Sequence, residues 1–250
     1  MTRVLRLTLA YDGTDFRGWA DQRDPAIRTI EATLCDHLER VLRERPRLSV
    51  AGRTDAGVHS RGQVVSFTTS SGTRPDRIQK ALNAALAPEI VVTEASWAPA
   101  GFDARLSATG REYRYVIDTA PVPDAFTSRF VWHRRAALHV PSMRTAASPL
   151  AGEHDFRSFC RHPGAGRSTI RKIDRLTIAR DGHLVVVRLR ANAFCHQMVR
   201  SIVGTLVRVG EGRLDPREVV RILAAGDRAT TPNIAPARGL TLERVIYGRR

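Results

Sequence analysis

Two hydrophobic periodicities alternate along the chain, and this alternation restricts the folds that it can adopt. The segment RVLRLTLAY at residues 3–11 alternates polar and apolar side chains, which predicts a half-buried strand. From Thr29, apolar residues recur at helical spacing, and Pro75 opens a second segment of that kind. Strand-like alternation returns in REYRYVID, at residues 111–118, and in a hairpin that turns at residues 181–182. Strands interspersed with helices in this order predict an α+β fold.

The same combination of strands and helices occurs twice. We therefore predict two halves of similar construction, each a mainly antiparallel sheet flanked by helices. Periodicity breaks in APAGFDARLSATG, so the predicted halves are residues 1–105 and 106–250. Later helices are predicted over residues 196–209 and from Asp215, as N-cap, to a stop at Gly226.

The charge of the chain restricts its partners. Forty Lys and Arg residues against 25 Asp and Glu residues give a net charge of +15, which favours a polyanion such as nucleic acid. No apolar run approaches the roughly 20 residues needed to span a bilayer, and the N-terminal segment has neither the apolar core nor the cleavage site of a signal peptide. We expect a cytoplasmic protein without membrane attachment.

The cysteines and neighbouring histidines raise the question of a metal site. Cys35, Cys160 and Cys195 form no CxxC pair, so neither a disulfide framework nor a zinc ribbon is indicated. Cys160 with His162, and Cys195 with His196, lack the ligand spacing of a structural zinc site. Core or surface roles are therefore favoured over metal ligation.

The segment AGRTDAGVHSRGQVVSF, at residues 51–67, contains the candidate site. Strand-like sequence surrounds its first part, so Gly52 and Gly57 allow a tight loop that carries Arg53 and Asp55. One interpretation is structural, with Asp55 capping a turn and Arg53 as its surface ion partner. The other is chemical, because a carboxylate opposes a docking polyphosphate unless it has a task of its own. An adjacent Arg keeps such a carboxylate ionised, as a nucleophile or base requires.

This segment closely resembles the signature loop of the TruA-type family of tRNA pseudouridine synthases. Further segments resemble family blocks in the same order, between Tyr11 and Tyr247: YDGTDFRGW, FDARLSATGREYRY, GEHDFRSF, NAFCHQMVRSIVGTL and APARGLTLERVIY. The sequence departs from the family pattern outside the Arg-x-Asp loop, at Ala20, Glu31, Leu106 and Gly226. These departures concern details of RNA contact and leave the chemistry of the loop unchanged.

The resemblance implies a pseudouridine synthase fold with the active-site cleft between the two halves. It implies isomerisation of uridine to pseudouridine, without a cofactor or metal, at three adjacent positions on the 3′ side of the tRNA anticodon arm. It also implies a homodimer. Asp55 would be the catalytic nucleophile, and we expect Arg53 to fill the vacated base stack or to hold the flipped phosphate.

The resemblance also gives roles to three residues of the C-terminal half. Tyr113 would lie against the extruded uracil, although an ordinary strand tyrosine is the alternative. Arg200 interrupts an apolar helix stripe, and a buried Arg needs an anionic partner, which the resemblance implies to be Asp55. Leu240 would pack on the target base, with a plain core leucine as the alternative.

Two functions from other classes fit parts of the sequence. A tRNA-binding module, in which the loop is only structural, predicts binding without base modification. A metal-dependent nucleic-acid hydrolase using Asp55, His59 and other histidines predicts strand cleavage and chelator sensitivity, but the ligand spacing of a metal site is not evident in the sequence.

Overall fold

The computed structural model describes residues 2–161, 166, 168–231 and 233–248. Within these ranges α-helices and β-strands are both well represented, and the strand pairs are mostly antiparallel. This architecture confirms the predicted α+β class. In the described part of the chain, every helix is too short or too polar to cross a membrane.

The chain folds into two compact units. Unit 1 comprises Met1–Thr109 and Leu242–Arg250, and unit 2 comprises Gly110–Thr241. These units differ from the predicted halves, 1–105 and 106–250, chiefly in the last strand, most of which returns to unit 1.

Unit 1 contains two helices and a set of antiparallel strands. Their bounds are α1 (Ile30–Leu42), α2 (Pro75–Leu86), β1 (Arg3–Tyr11), β2 (Ser49–Val50), β3 (His59–Thr69), β4 (Ile90–Ala98) and β10 (Leu240–Tyr247), the last beginning in unit 2. The strand order is β4-β1-β3-β10, with β2 beside β3. The register places Leu7 of β1 opposite Val65 of β3.

The core of unit 1 follows from its two periodicities. From Leu5 onward every second residue of β1 is buried. The leucines of this face pack in one cluster with the apolar stripes of α1 and α2: Leu5, Leu7, Leu9, Ile30, Leu34, Leu38, Ile78 and Leu82. Thr29 begins α1 as predicted, since its hydroxyl accepts a hydrogen bond from the Ala32 N–H. Phe16 and Trp19 are buried in the same cluster, which fixes the segment after β1 to the core.

The described residues of unit 2 form a second set of strands with the α-helices α3, α4 and α5. Their bounds are β5 (Ala108–Asp118), β6 (Trp132–His133), α3 (Val140–Ala147), β7 (Gly152–Asp155), β8 (Ile170–Asp181), β9 (Leu184–Ala191), α4 (Met198–Gly210) and α5 (Glu218–Ala225). The order is β5-β9-β8-β7, and β6 pairs in parallel with β5. The β8–β9 hairpin closes with Asp181 opposite Leu184, which confirms the predicted turn.

The predicted start of the last helix is wrong. Asp215 does not cap α5, which begins at Glu218; its carboxylate instead accepts a hydrogen bond from the Arg217 N–H in a preceding turn. Local side-chain bonds of this kind mimic a helix cap in sequence. The predicted end is confirmed, because Gly226 follows Ala225 with a left-handed φ of 61°.

Candidate active site

Asp55 lies in the loop of residues 51–58 between β2 and β3, here called the Asp55 loop. At its start, the Ala51 N–H donates to the Val64 carbonyl at 2.9 Å, which continues the β2–β3 pairing. Within it, the Val58 N–H donates to the Asp55 carbonyl at 3.1 Å and closes a turn. Gly57 has a φ of 75° inside this turn, a conformation that strains other residues.

The segment of residues 11–19 holds the Asp55 loop through three hydrogen bonds. The Tyr11 hydroxyl and the Thr54 hydroxyl lie 2.9 Å apart in a buried position. The Trp19 N–H donates to the Thr54 carbonyl at 3.0 Å, and the Gly57 N–H donates to the Phe16 carbonyl at 3.3 Å. Thr54 is therefore fixed through both its side chain and its backbone, immediately before Asp55.

Two glycines of that segment allow this close packing. A Cβ atom at Gly13 would lie 2.1 Å from the Val58 carbonyl oxygen. One at Gly18 would lie 3.0 Å from the Thr54 carbonyl oxygen, and Gly18 also has a φ of +94°. Any side chain at either position would displace the Asp55 loop.

The exposure of the loop differs from residue to residue. Thr54 is buried, Asp55 is half-buried and Arg53 is exposed. Among the described residues, nothing lies within 4 Å of a Cβ atom built at Gly52. The fold of this chain therefore explains Gly57 by its backbone conformation, whereas it sets no steric requirement for glycine at position 52.

Buried polar groups support the loop from below. Gln63 is fully buried, and its amide nitrogen lies 2.6 Å from the Gly52 carbonyl and 3.3 Å from the Tyr11 hydroxyl, to which it donates. Burial raises the pKa of Tyr11 to about 12, against the smaller opposing effect of its bond to Thr54. The phenol is thus held neutral as a hydrogen-bonding support.

His59, the other titratable group of the predicted metal-hydrolase alternative, is buried at the start of β3. Its Nδ1 accepts a hydrogen bond from the Gly13 N–H at 3.0 Å and lies 3.1 Å from an Asp12 carboxylate oxygen. This histidine anchors the loop to the segment after β1. Across the described ranges, no three His, Cys, Asp or Glu side chains are grouped as metal ligands.

Tyr113 lies on β5 in unit 2, where it pairs with Leu189 of β9. Its side chain is 8% exposed and meets the ring of Phe194 edge to face, with the centroids 5.1 Å apart. Phe194 comes from the family-like block NAFCHQMVRSIVGTL and was given no role from the sequence. Its contact with Tyr113 indicates that it sets the position of the tyrosine ring.

Arg200 lies in the first turn of α4 and binds the segment that leads to Leu240. The Arg200 Nε donates to the Ala235 carbonyl at 2.8 Å, and the Ala235 N–H donates to the Arg200 carbonyl at 3.1 Å. Leu240, at the start of β10, is 5% exposed. Arg200 therefore has a structural role besides any role towards Asp55.

Tyr115 fixes the same segment from β5. Its hydroxyl donates to the Pro236 carbonyl at 2.7 Å, and a Cβ atom at Gly239 would lie 2.6 Å from its ring. Burial raises the pKa of Tyr115, while the positive charges of Arg200 and Arg238 act in the opposite direction. Tyr115 was not predicted as a site residue, although its two-residue spacing from Tyr113 places both rings on one face of β5.

Cys160 and Cys195 are free thiols, and the Cys195 Sγ lies 4.0 Å from the Thr169 carbonyl oxygen. The neighbouring Cys195 thiol and burial raise the pKa of Cys160. His196 accepts a backbone hydrogen bond from Arg161. His162, which neighbours Cys160 in the sequence and was considered as a metal ligand with it, lies outside the described residues.

The predicted site residues thus fall into two groups. Arg53 and Asp55 share the Asp55 loop of unit 1. Tyr113, Arg200 and Leu240 belong to unit 2, where Arg200 binds Ala235 at the start of the segment that ends at Leu240 and that Tyr115 also holds. The roles given to these five residues stay predictions.

The chain is similar to known proteins over nearly its whole length. The family model described as tRNA pseudouridine synthase matches residues 8–105 and 146–248. Relatives named tRNA pseudouridine synthase A include that of Brevibacillus brevis, 44% identical over 97% of this chain and 99% of the relative. The one from Moorella thermoacetica is 42% identical over the same shares. That of Geobacter sulfurreducens is 40% identical over 98% of this chain and 100% of the relative.

A fold of two α+β units with an Arg-x-Asp loop, and these matches over both units, define an RNA-modifying isomerase. The chain belongs to the tRNA pseudouridine synthase family. This confirms the resemblance seen in the sequence.

Proposed function

We propose that the protein converts uridine to pseudouridine at three adjacent positions on the 3′ side of the tRNA anticodon arm, with Asp55 as the catalytic carboxylate. The observation that carries the proposal is the support of Asp55. Thr54, its neighbour, is held by Tyr11 and Trp19, while Asp55 itself remains half-buried at the loop surface. A rigidly supported carboxylate with an accessible face suits a group that acts on a bound nucleotide.

The reaction needs few groups. The glycosidic bond between uracil N1 and the sugar breaks, the ring turns, and C5 forms a bond to the same sugar carbon. C5 then loses its proton to solvent or a protein group, and N1 gains a proton, so the product is an isomer of the substrate. Because the leaving base is also the incoming nucleophile, no water has to be activated. One carboxylate can therefore suffice where hydrolytic glycosidases commonly use two.

Arg53 is proposed to stabilise the flipped nucleotide. A paired or stacked uridine is out of reach until it leaves the stack, at a cost of a few kcal/mol. Arg53 is exposed two residues before Asp55, so its guanidinium can reach into the RNA while the backbone of the loop stays fixed. Its fork geometry suits either a phosphate or the open face of a base.

In unit 2 we propose that Tyr113 contacts the extruded uracil and assists proton transfer, and that Leu240 packs on the same base. The contact of Tyr113 with Phe194 and the hold on the segment before Leu240 support these roles, because both side chains have fixed surroundings. Arg200 is proposed to partner the Asp55 carboxylate through guanidinium nitrogens other than the Nε that binds Ala235.

The net charge of +15 supports recognition of tRNA shape through its phosphates. We extend the proposal to a homodimer that works without a cofactor or metal, as the family resemblance implies, and to a cytoplasmic location, as the N-terminal sequence predicts. The pseudouridine yield in the presence of EDTA tests whether the reaction needs a metal, and we expect the same yield as without chelator. Strong inhibition would favour the hydrolase-type use of Asp55 and His59.

Substitution of Asp55 by Asn tests the catalytic proposal. The amide keeps the shape and can still accept a hydrogen bond, but it is neither an effective nucleophile nor a base. We expect pseudouridine formation to fall to background while affinity for unmodified tRNA stays equal or rises slightly, because a negative charge is removed. Filter binding and pseudouridine mapping, by carbodiimide labelling and primer extension, are made on the same sample.

Asp24→Asn is the matched control. Asp24 is an exposed carboxylate of unit 1 that accepts a hydrogen bond from the Ala26 N–H, so its substitution removes the same charge from a comparable turn. That variant should keep full activity. A folded Asp55→Asn protein that forms pseudouridine at the wild-type rate would overturn the proposal, and primer extension also shows whether the three expected positions are the ones modified.

A further inference from the structure

A groove of about 730 Å³ opens in unit 2 between the carboxyl half of α4, β6 and residues 233–236. We call it the α4 groove. Its charged lining residues are Arg134, Arg208, Glu211 and Arg213. Three guanidinium groups against one carboxylate leave the lining with a net positive charge of two.

Glu211 pairs directly with two of these three guanidinium groups. Its Oε1 lies 2.6 Å from Arg134 Nε and its Oε2 lies 3.3 Å from Arg213 Nη1, so each oxygen already has a guanidinium partner. The hydrogen bond from Arg134 lowers the pKa of this carboxyl group, which keeps it ionised. The side chain is only 6% exposed, so the pair of bonds is well defined.

Arg208 is the remaining cation of the α4 groove. It is half-buried, and within the described ranges its guanidinium makes no hydrogen bond or ion pair. The Arg213 N–H donates to the Arg208 carbonyl at 2.9 Å, which fixes the backbone that carries both cations. A guanidinium group that faces a groove can exchange its water for a bound phosphate, which supplies acceptors in matching geometry.

The position of the α4 groove relative to Tyr113 restricts what can fill it. Trp132, which lines the groove, pairs with Ile117, and Ile117 lies four residues beyond Tyr113 on β5. At about 3.3 Å per residue this is roughly 13 Å along the strand. A nucleotide whose base contacts Tyr113 would not reach the groove with its own base, but a neighbouring stretch of its backbone would.

We propose that the α4 groove binds a phosphodiester group of the tRNA that flanks the target nucleotide, with Arg208 as the principal contact. The inference rests on the proposed function, because it takes Tyr113 as the contact of the target uracil. A second copy of this chain is a poorer occupant. A second copy would have to bring an acidic side chain to the groove, whereas every phosphodiester group of tRNA carries a negative charge.

Substitution of Arg208 by Ala tests the contact. We expect tRNA binding to weaken roughly three- to tenfold and the slope of log affinity against log salt to fall by about 0.7–0.9, as for one lost phosphate contact. KM should rise, whereas the single-turnover rate at saturating tRNA should stay near the wild-type value. Arg221→Ala is the control, since it removes the same charge from an exposed side chain that already pairs with Glu218.

Substitution of Glu211 by Gln should change tRNA affinity in the opposite direction from Arg208→Ala. Removal of the carboxylate releases Arg134 and Arg213, which are 36% and 67% exposed and can remain hydrated. We expect tighter tRNA binding and a steeper salt dependence. If Arg208 and Glu211 only stabilise the end of α4, both variants lower Tm and leave the tRNA affinity and salt slope unchanged, and the inference is wrong.

Two further outcomes are distinguishable. If Arg208→Ala changes the molar mass of the free protein by light scattering while its salt slope stays at the wild-type value, the groove joins copies of the chain and the RNA inference is overturned. If the wild-type protein forms no pseudouridine, the proposed function fails, whereas the slopes of Arg208→Ala and Arg221→Ala still show separately whether the groove binds RNA phosphate.

Discussion

The Tyr11 hydroxyl and the Thr54 hydroxyl lie 2.9 Å apart, in a buried contact that joins the end of β1 to the residue before Asp55. Gln63 donates to the same phenol from β3. Since Tyr11 belongs to the core cluster of unit 1, this contact transmits the rigidity of the core to the Asp55 loop. Positioning of Asp55 is therefore separable from the chemistry proposed for it, and the two can be tested by different substitutions.

Tyr11→Phe should slow the chemical step without weakening tRNA binding. The ring stays in the core, but Thr54 loses its side-chain partner, so the Asp55 carboxylate is held less firmly. We expect the single-turnover rate to fall by roughly ten- to a hundredfold, since small displacements of a catalytic group are costly, and stability to fall by about 1 kcal/mol. An unchanged rate at saturating tRNA would show that backbone bonds alone position the loop.

Gly57 and Gly52 should respond differently to substitution by Ala. Gly57→Ala forces a left-handed φ of 75° on a residue with a side chain, which costs about 1–2 kcal/mol and distorts the turn. Gly52→Ala meets no described atom within 4 Å, so thermal stability should be unchanged. If RNA approaches the loop at position 52, that variant alone should lose tRNA affinity at wild-type Tm.

If Gly52→Ala binds tRNA with unchanged affinity, RNA does not approach the loop closely at this glycine. Circular dichroism melting and filter binding of both variants measure the two effects separately. Gly57→Ala serves as the comparison for distortion of the loop, because this substitution strains the backbone, whereas Gly52→Ala only adds a methyl group to the loop surface.

Much of this architecture could be predicted because its signals are local. The alternation in β1 and the stripe of Ile30, Leu34 and Leu38 each arise within one element, and Thr29 caps its own helix. The Asp55 loop was recognisable because glycines and charged residues interrupt two strand-like segments.

Other features depend on contacts that have no local signal. The partner of Thr54 lies 43 residues away at Tyr11, and the buried hydroxyl of Ser60 donates to the Leu242 carbonyl across 182 residues. The return of β10 to unit 1 also depends on contacts between residues far apart in the sequence, so no local pattern near residue 240 indicated it. The wrong prediction of a helix start at Asp215 has the opposite cause. A local hydrogen bond from the Arg217 N–H to the Asp215 carboxylate resembles the bond of a helix N-cap.

Tyr113→Phe should leave tRNA binding nearly normal and slow turnover strongly, if the hydroxyl assists proton transfer. The ring and its edge contact with Phe194 are kept in this variant. Tyr115→Phe is the matched control on the same face of β5, because it removes a hydroxyl whose bond goes to the Pro236 carbonyl. The control should lose about 1 kcal/mol of stability and little activity.

Equal turnover of Tyr113→Phe and the wild type would leave only a stacking role for the ring, worth roughly 1–3 kcal/mol per base. Single-turnover pseudouridine formation at saturating tRNA makes the comparison, with filter binding of the same preparations. A strong loss in Tyr115→Phe instead would show that the segment before Leu240 controls the rate.

Alkaline pH should destabilise the protein through Tyr11. Burial raises its pKa from 10.0 in the unfolded chain to about 12 in the folded protein. A raised pKa contributes stability that is fully present below pH 10 and is lost as the pH rises towards 12. At pH 11 the loss from this group is about 1.4 kcal/mol, because the unfolded state has already released its proton and the folded state has not.

Urea unfolding of the wild type and Tyr11→Phe, at pH values from about 8 to 11, measures this loss. Phenylalanine has no proton to release, so the variant should be less stable than the wild type at pH 8 and should approach or exceed it at pH 11. Thr54→Val is the control, because it removes the hydrogen bond but keeps the buried phenol and therefore keeps the alkaline loss. Parallel curves for the wild type and Tyr11→Phe would mean that Tyr11 ionises in the folded protein as easily as in water, and that the hydroxyl supporting Asp55 is reached by solvent.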